Sequence, residues 1–143
     1  MTPSQQARYN LELAKDILSF IISQRVDAIK KEKGKGAVES NGKVAELMQE
    51  IEFYTQEQDA VISNDAAAIQ RVMDKYYPEI KAAYDHHRTA PISAEERRRR
   101  QEAFNYARAS VGLEGIKVSK KCEKHALRFI NGEIDMPTFK AWI

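Results

Sequence analysis

Apolar residues recur at three- and four-residue steps along most of this chain, and no stretch alternates between apolar and polar residues. One such pattern runs from about residue 4 to 32, a second from about 43 to 62, and a third follows and ends near Tyr84. Side chains three or four residues apart share one face of an α-helix, whereas a half-buried strand requires alternation. The sequence therefore predicts an all-α protein that begins with about three long helices.

Local signals predict where the first three helices end. The glycines of the segment KKEKGKGAVESNGK indicate a loop after the first helix. Ser63 and Asn64 are candidates to cap the third helix at its amino end, because their side chains can accept backbone N–H bonds. Pro78 interrupts the third pattern, so we expect it either to kink the helix or to restart it at its first position.

The carboxy-terminal part is predicted to be a smaller helical module. Thr89-Ala90-Pro91 is typical of a linker, which divides the chain into residues 1–88, a helical bundle of unknown role, and residues 89–143. Ser93, with Glu96 three residues later, has the spacing of a capping box and predicts a helix from about 94 to 114. Ser119 is expected to open a further short helix, and Asp135 to cap a last one.

Composition limits the broad class of protein. Hydrophobic residues make up 43% and charged residues 31% of the 143 residues, which fits a folded, helix-rich protein. The net charge of +2 gives no general argument for nucleic acid, and no apolar stretch is long enough to predict a membrane span. The single Cys122 cannot form an internal disulfide, which favours a reducing compartment, and we expect a cytoplasmic location.

The segment Ser-Val-Gly-Leu-Glu-Gly at residues 110–115 stands at the end of the predicted helix that starts at Ser93. Ser110 and Glu114 are four residues apart and would share one face, and Gly115 is placed to end the helix. A glutamate near the carboxyl end of a helix is unfavourable by about 0.3–1 kcal/mol, because that end carries partial negative charge. We therefore expect a cation from outside the helix, such as one that another protein supplies, to compensate.

Residues 93–135, SAEERRRRQEAFNYARASVGLEGIKVSKKCEKHALRFINGEID, resemble the VbhA-type antitoxins that inhibit Fic-domain adenylyltransferases. That family carries an inhibitory helix with the motif [Ser/Thr]-x-x-x-Glu-[Gly/Asn]. The resemblance implies that Ser110 is the motif hydroxyl, Glu114 the inhibitory glutamate and Gly115 the closing residue. The chain departs from the family at Gly112, where longer helix-forming residues are usual; an interior glycine costs about 1 kcal/mol against alanine.

The resemblance also implies a mechanism and a partner. Fic enzymes move AMP from ATP to a target hydroxyl, and an arginine of the enzyme holds the γ-phosphate. A glutamate inserted there can pair with that arginine and shift ATP out of line for transfer. The chain would thus be a non-enzymatic antitoxin without a cofactor, bound to a cognate Fic toxin. The residues predicted to contact the toxin, or to pack on the first three helices, are Arg100, Phe104, Ala107 and Val111, with Leu113 and Ile116 as anchors.

Other functions have weaker support in the residues. Asp85-His86-His87 lacks the spacing of a metal site, and Cys122 has no partner pattern for nucleophilic catalysis, so we expect neither a metal nor an enzyme. Clustered basic residues at Arg97–Arg100 or Lys30–Lys35 keep open a DNA-binding autoregulator, although no helix-turn-helix spacing supports it. A helical structural adaptor is the remaining alternative, although sustained heptads are not evident.

Overall fold

A computed structural model describes residues 1–36 and 39–142 of the chain. Within these residues the regular structure is helical and contains no strand, which confirms the all-α prediction. No helix in this described part is both long enough and apolar enough to cross a bilayer. The helices are α1 (Pro3–Lys35), α2 (Glu39–Ile62), α3 (Ala66–Arg71), α4 (Tyr77–Thr89), α5 (Ala94–Leu113), α6 (Lys120–Ile130) and α7 (Met136–Ala141).

Helices α3 and α4 are joined without a break by a π-helical turn at Val72–Tyr76. This turn lies directly before Pro78, which is the second residue of α4. Proline has no N–H to donate to the carbonyl four residues earlier, and a wider turn accommodates the missing bond. The helical path therefore continues through this segment, and Pro78 is the second residue of α4 rather than the first residue of a restarted helix.

The cap of α3 differs from the prediction. The Asp65 carboxylate accepts the backbone N–H of Ala67 at 2.9 Å, so Asp65 is the N-cap. Ser63 and Asn64 belong to the end of α2 instead. Asn64 has a φ of 62°, and the next amide, that of Asp65, donates back to the carbonyl of Ala60 at 3.1 Å. Asparagine tolerates this left-handed conformation better than most residues, which explains why it closes one helix rather than opening the next.

The predicted glycine loop is shorter than expected. Helix α1 continues to Lys35 and α2 begins at Glu39, so Gly34 and Gly42 are helical. Gly36 has a φ of 65°. Residues 37 and 38, also within the predicted loop, lie outside the described residues. An interior glycine weakens a helix by about 1 kcal/mol but does not prevent one, which is why the loop prediction was too long.

The chain divides into two compact units, and the first comprises residues 10–85. Tyr84 is fully buried there, donates its hydroxyl to Asp16 at 2.6 Å and packs edge-on against Phe20 at 5.5 Å. Polar atoms of a buried tyrosine need such a partner. The buried hydrophobic residues of this unit come from α1, α2 and the helical segment 66–85: Leu13, Ala14, Ile17, Leu18, Ile21, Leu47, Val61, Ala68, Val72 and Tyr84.

Within residues 10–85, a second polar cluster joins α2 to the π turn. The Arg71 guanidinium donates two hydrogen bonds to the Glu57 carboxylate, at 2.9 and 3.1 Å, and the Tyr76 hydroxyl donates a third at 3.0 Å. Burial and the Glu57 carboxylate raise the pKa of Tyr76 to about 12. The bonds from Arg71 and Tyr76 also lower the pKa of Glu57, although burial acts against them.

The second compact unit contains residues 1–9 together with 86–143. It differs from the predicted division at residue 88 because the first nine residues group with the carboxy-terminal segment. Arg88 donates to the Tyr9 hydroxyl at 3.2 Å and also pairs with Asp135. Asp135 caps α7, as predicted, by accepting the Thr138 N–H at 2.9 Å. The buried residues are Ala126, Ile130, Pro137 and Ala141.

Replacing Asp135 with asparagine should remove a pH-dependent part of the stability. Burial alone would raise the pKa of Asp135, but the bonds from Thr138 and the charge of Arg88 outweigh it and lower the pKa. A carboxyl group whose pKa is lowered in the folded state stabilises the fold at pH values above its ordinary pKa of ~3.9. This stabilisation is lost as the pH falls through the lowered pKa. Asparagine still caps a helix.

We therefore expect Asp135→Asn to lower the free energy of unfolding at pH 7, and the difference from wild type to be smaller at pH 3. Urea denaturation at both pH values, followed by circular dichroism, measures this. An equal loss at the two pH values would show that the charge of Asp135 contributes nothing.

Candidate functional site

Helix α5 begins at the predicted cap. Ser93 has extended backbone angles (φ −72°, ψ 161°), and its hydroxyl oxygen accepts the N–H of Glu96 at 3.0 Å. Glu96 in turn uses its carboxylate to accept from the guanidinium of Arg100 at 3.2 Å. The first turn thus satisfies one of its unpaired backbone donors and directs Arg100 across the helix surface.

A stack of four side chains connects α5 with α6 and α7. The Arg100 guanidinium lies over the Phe129 ring, 4.1 Å from its centroid, and donates to the Phe129 carbonyl at 2.6 Å. Phe129 stacks on Phe139 at 4.9 Å, and Phe139 stacks on His125 at 5.1 Å. An arginine stacked on an aromatic face and hydrogen-bonded to a carbonyl is well satisfied. Arg100, predicted to contact a partner, is engaged within the chain.

The neighbouring arginines have a different environment. The side chains of Arg98 and Arg99 are each 70% exposed, and both form long ion pairs of 3.9 Å along the helix, with Glu102 and Glu95 respectively. Their charges are therefore interspersed with carboxylates on a solvated surface. Such a surface offers little net positive charge to a phosphate backbone.

No residue of α5 is buried, and only one side of its carboxy-terminal half is covered. Phe104 and Val111 are half-buried, whereas Ala107 is exposed. The Arg108 guanidinium lies 5.6 Å from the centre of the Phe104 ring and reaches Glu123 at 3.6 Å. These contacts extend the interface between α5 and α6 toward the carboxyl end of α5. They leave the rest of the α5 surface open.

The end of α5 is closed by three consecutive residues. Glu114 is the C-cap (φ −88°, ψ 4°), so the helix ends at Leu113, one residue earlier than predicted. Gly115 has a φ of 80° and donates to the Gly112 carbonyl at 3.0 Å, and Ile116 donates to the Val111 carbonyl at 3.1 Å. This pair of bonds is a Schellman motif, which satisfies two carbonyls that the helix would otherwise leave unpaired.

The predicted motif residues lie together on the open side of this helix end. Ser110, Glu114 and Gly115 are all exposed, and Leu113 and Ile116 beside them are 91% and 54% exposed. Within the described residues the Glu114 carboxylate has no ion-pair partner. An unpaired carboxylate next to the negative end of a helix dipole attracts a cation. The apolar side chains around it favour burial against another surface.

The sequence prediction missed one residue of this surface, Tyr106. It is 77% exposed and precedes Ser110 by four and Leu113 by seven residues, so the three share one helix face. Counting back along the helix from Ser110 would have found it. The half-buried Phe104 and Val111 face away from it, toward α6.

The site offers few groups for catalysis or for a metal. Among the described residues no group of three or more His, Cys, Asp or Glu side chains is placed to hold a metal ion. In the segment Asp85-His86-His87, which lies elsewhere in the chain, Asp85 accepts from the Tyr77 hydroxyl at 2.7 Å and pairs with Lys81. What the end of α5 can provide chemically is a carboxylate, a hydroxyl and exposed apolar area.

Comparisons of this chain with known protein families, curated proteins and solved structures find no match. The likeness to VbhA-type antitoxins therefore depends on residues 93–135 of the sequence alone. The geometry at the end of α5 is independent of that likeness.

Replacing Gly115 with alanine should fray the end of α5, because alanine is strained at a φ of 80° by about 1 kcal/mol. Gly112→Ala is the matched control: this glycine is helical with no atom near the added Cβ, so alanine should strengthen the helix by about 1 kcal/mol. We expect the Cα chemical shifts of residues 110–113 to move toward coil values in Gly115→Ala and toward helical values in Gly112→Ala. Shifts in the same direction in both variants would contradict the proposed end.

Replacing Arg100 with alanine should destabilise this unit by about 1–2 kcal/mol, since it removes the stacking and the shorter of the two hydrogen bonds that the Phe129 carbonyl accepts, the other coming from the Gly132 N–H at 3.1 Å. Arg98→Ala removes an equal charge from an exposed ion pair and should change the free energy of unfolding by less than about 0.5 kcal/mol. Urea denaturation followed by Trp142 fluorescence measures both. Equal losses in the two variants would show that the stack adds nothing.

Proposed function

We propose that this chain is an antitoxin that binds a cognate Fic adenylyltransferase and inhibits its AMP transfer through Glu114. The observation that supports this most is the exposed, unpaired Glu114 carboxylate at a closed helix end surrounded by exposed apolar side chains. The likeness of residues 93–135 to VbhA-type antitoxins supplies the class of partner. In the same proposal, a long-helix bundle precedes this module, and the complex acts in the cytoplasm.

The electrostatics of the helix end fit a cationic target. Glu114 adds a full negative charge to the partial negative charge at the carboxyl end of α5. An arginine of the enzyme that normally holds the ATP γ-phosphate would meet both charges, and its planar guanidinium can form a bidentate pair with the carboxylate. The pair would form in a site that excludes water, where charge-assisted bonds are stronger than at a surface.

Occupation of that arginine would block transfer by displacing ATP. AMP transfer requires the α-phosphate to lie in line with the attacking hydroxyl, and most of the rate depends on this positioning. If the γ-phosphate loses its ligand, the nucleotide settles in another pose, and the reaction slows even though ATP still binds. The chain itself needs no catalytic group for this effect.

Exposed apolar side chains would supply the affinity. Tyr106 and Leu113 present their side chains on the open face of α5, and Ile116 follows the helix end. A helix that inserts one face into a groove gains most of its binding energy from a few such anchors. The stack of Arg100 on Phe129 fixes the helix at the opposite side, so the motif would be presented without first having to be ordered.

Loss of the Glu114 charge should release the enzyme without dissolving the complex. The test co-purifies the proposed Fic partner with wild type or with Glu114→Gln and measures AMP transfer to the target of that enzyme. We expect wild type to suppress transfer and Glu114→Gln to restore it at least about tenfold, because the arginine is left without its carboxylate. Glu114→Gly should act in the same direction.

Glu102→Gln is the control for charge on the same helix, since its side chain is 68% exposed and pairs only loosely with Arg98. It should inhibit like wild type. Binding affinity, measured by calorimetry, should fall with Leu113→Ala and also with Glu114→Gln, because each variant loses a contact buried in the interface, but both complexes should still form. Full inhibition by Glu114→Gln would show that this mechanism is wrong even if the complex forms.

A further inference from the structure

A concave groove of about 520 Å³ lies in the unit formed by residues 1–9 and 86–143, apart from the motif at the end of α5. Pockets for small ligands commonly measure about 300–1,000 Å³. The groove is thus of a size for a small molecule rather than for a long extended peptide. Its lining includes Ser119, Lys121, Lys124, His125, Arg128 and Trp142.

The groove is positively charged. Lys121, Lys124 and Arg128 follow one another on one face of α6 at steps of three and four residues, and among the described residues of the lining no side chain carries a carboxylate. Arg128 also pairs with Glu133 at 3.4 Å, but neither lysine has an ion-pair partner within the described residues. Like charges at this spacing repel one another, and a bound anion would relieve the repulsion.

The groove also has aromatic surface at its wall. Trp142, the only tryptophan of the chain, lines it and remains 50% exposed. His125 is the end of the ring stack that begins at Arg100, so its position is fixed from behind by Phe139. An exposed indole is a platform on which a flat heterocycle can stack. The Ser119 hydroxyl accepts the Cys122 N–H and can still donate one hydrogen bond of its own.

We propose that this groove binds a free nucleoside polyphosphate. Its phosphates would lie along Lys121, Lys124 and Arg128, and its base would stack on Trp142. A simple phosphate would use the cations and leave the aromatic wall exposed, whereas a nucleotide uses both. The proposal does not depend on the antitoxin function, because its residues belong to α6 and the carboxy-terminal end rather than to α5.

Trp142 provides a direct probe because it is the single tryptophan. ATP added to the full chain at low ionic strength should quench its fluorescence with a Kd below about 1 mM. Tripolyphosphate, which lacks the base, and adenosine, which lacks the phosphates, should each bind at least about tenfold more weakly. A short single-stranded oligonucleotide tests the other source of the same chemistry and should bind more weakly than ATP.

The double variant Lys121→Gln, Lys124→Gln should weaken ATP binding about tenfold, because two cations are lost from the groove. Lys117→Gln, Lys120→Gln is the matched control: it makes the same change of charge at neighbouring exposed positions outside the lining, and should alter the Kd less than about twofold. Circular dichroism should show equal helix content in both. The proposal is overturned if tripolyphosphate binds as tightly as ATP, if the oligonucleotide binds more tightly, if both double variants weaken binding equally, or if ATP does not bind.

Discussion

The stacking of Arg100 on Phe129, continued by Phe139 and His125, is the interaction on which the rest of the carboxy-terminal unit depends. Helix α5 has no fully buried residue, so burial of apolar area, limited to the half-buried Phe104 and Val111, contributes little to holding it in place. A cation on an aromatic face, strengthened by a hydrogen bond to the Phe129 carbonyl, does so with few atoms. This contact and the contacts of Phe104 and Arg108 near α6 cover one side of α5. The opposite side therefore stays open as far as the helix end.

Two surfaces of opposite charge result from this arrangement. The end of α5 concentrates negative charge at Glu114 and surrounds it with apolar area, which suits a cationic groove on a partner. The face of α6 carries Lys121, Lys124 and Arg128 beside an exposed indole, which suits a phosphate-bearing heterocycle. His125 is common to the ring stack and to the groove, so the interaction that orients α5 also shapes one wall of the second surface.

Short-range signals in the sequence predicted much of this fold. Ser93, Ser119 and Asp135 cap their helices as expected, because a capping bond joins residues two or three positions apart. Asp65 rather than Asn64 caps α3 because of how α2 ends, and the capping propensities of the two residues alone do not decide this. The engagement of Arg100 with Phe129, twenty-nine residues away, depends on how two helices pack. The exposure of Tyr106 depends on the same packing, although its place on the face of Ser110 could be counted from the sequence.

Hydrogen exchange measured on this chain together with the Fic protein proposed as its partner tests the central claim most directly, namely that the open end of α5 is the surface that binds. We expect slower exchange for the backbone amides of residues 105–116 in the complex than in the isolated chain, with little change in the buried segment of α1 around Ile17. Unchanged exchange at residues 105–116, with protection confined to residues 10–85, would contradict it.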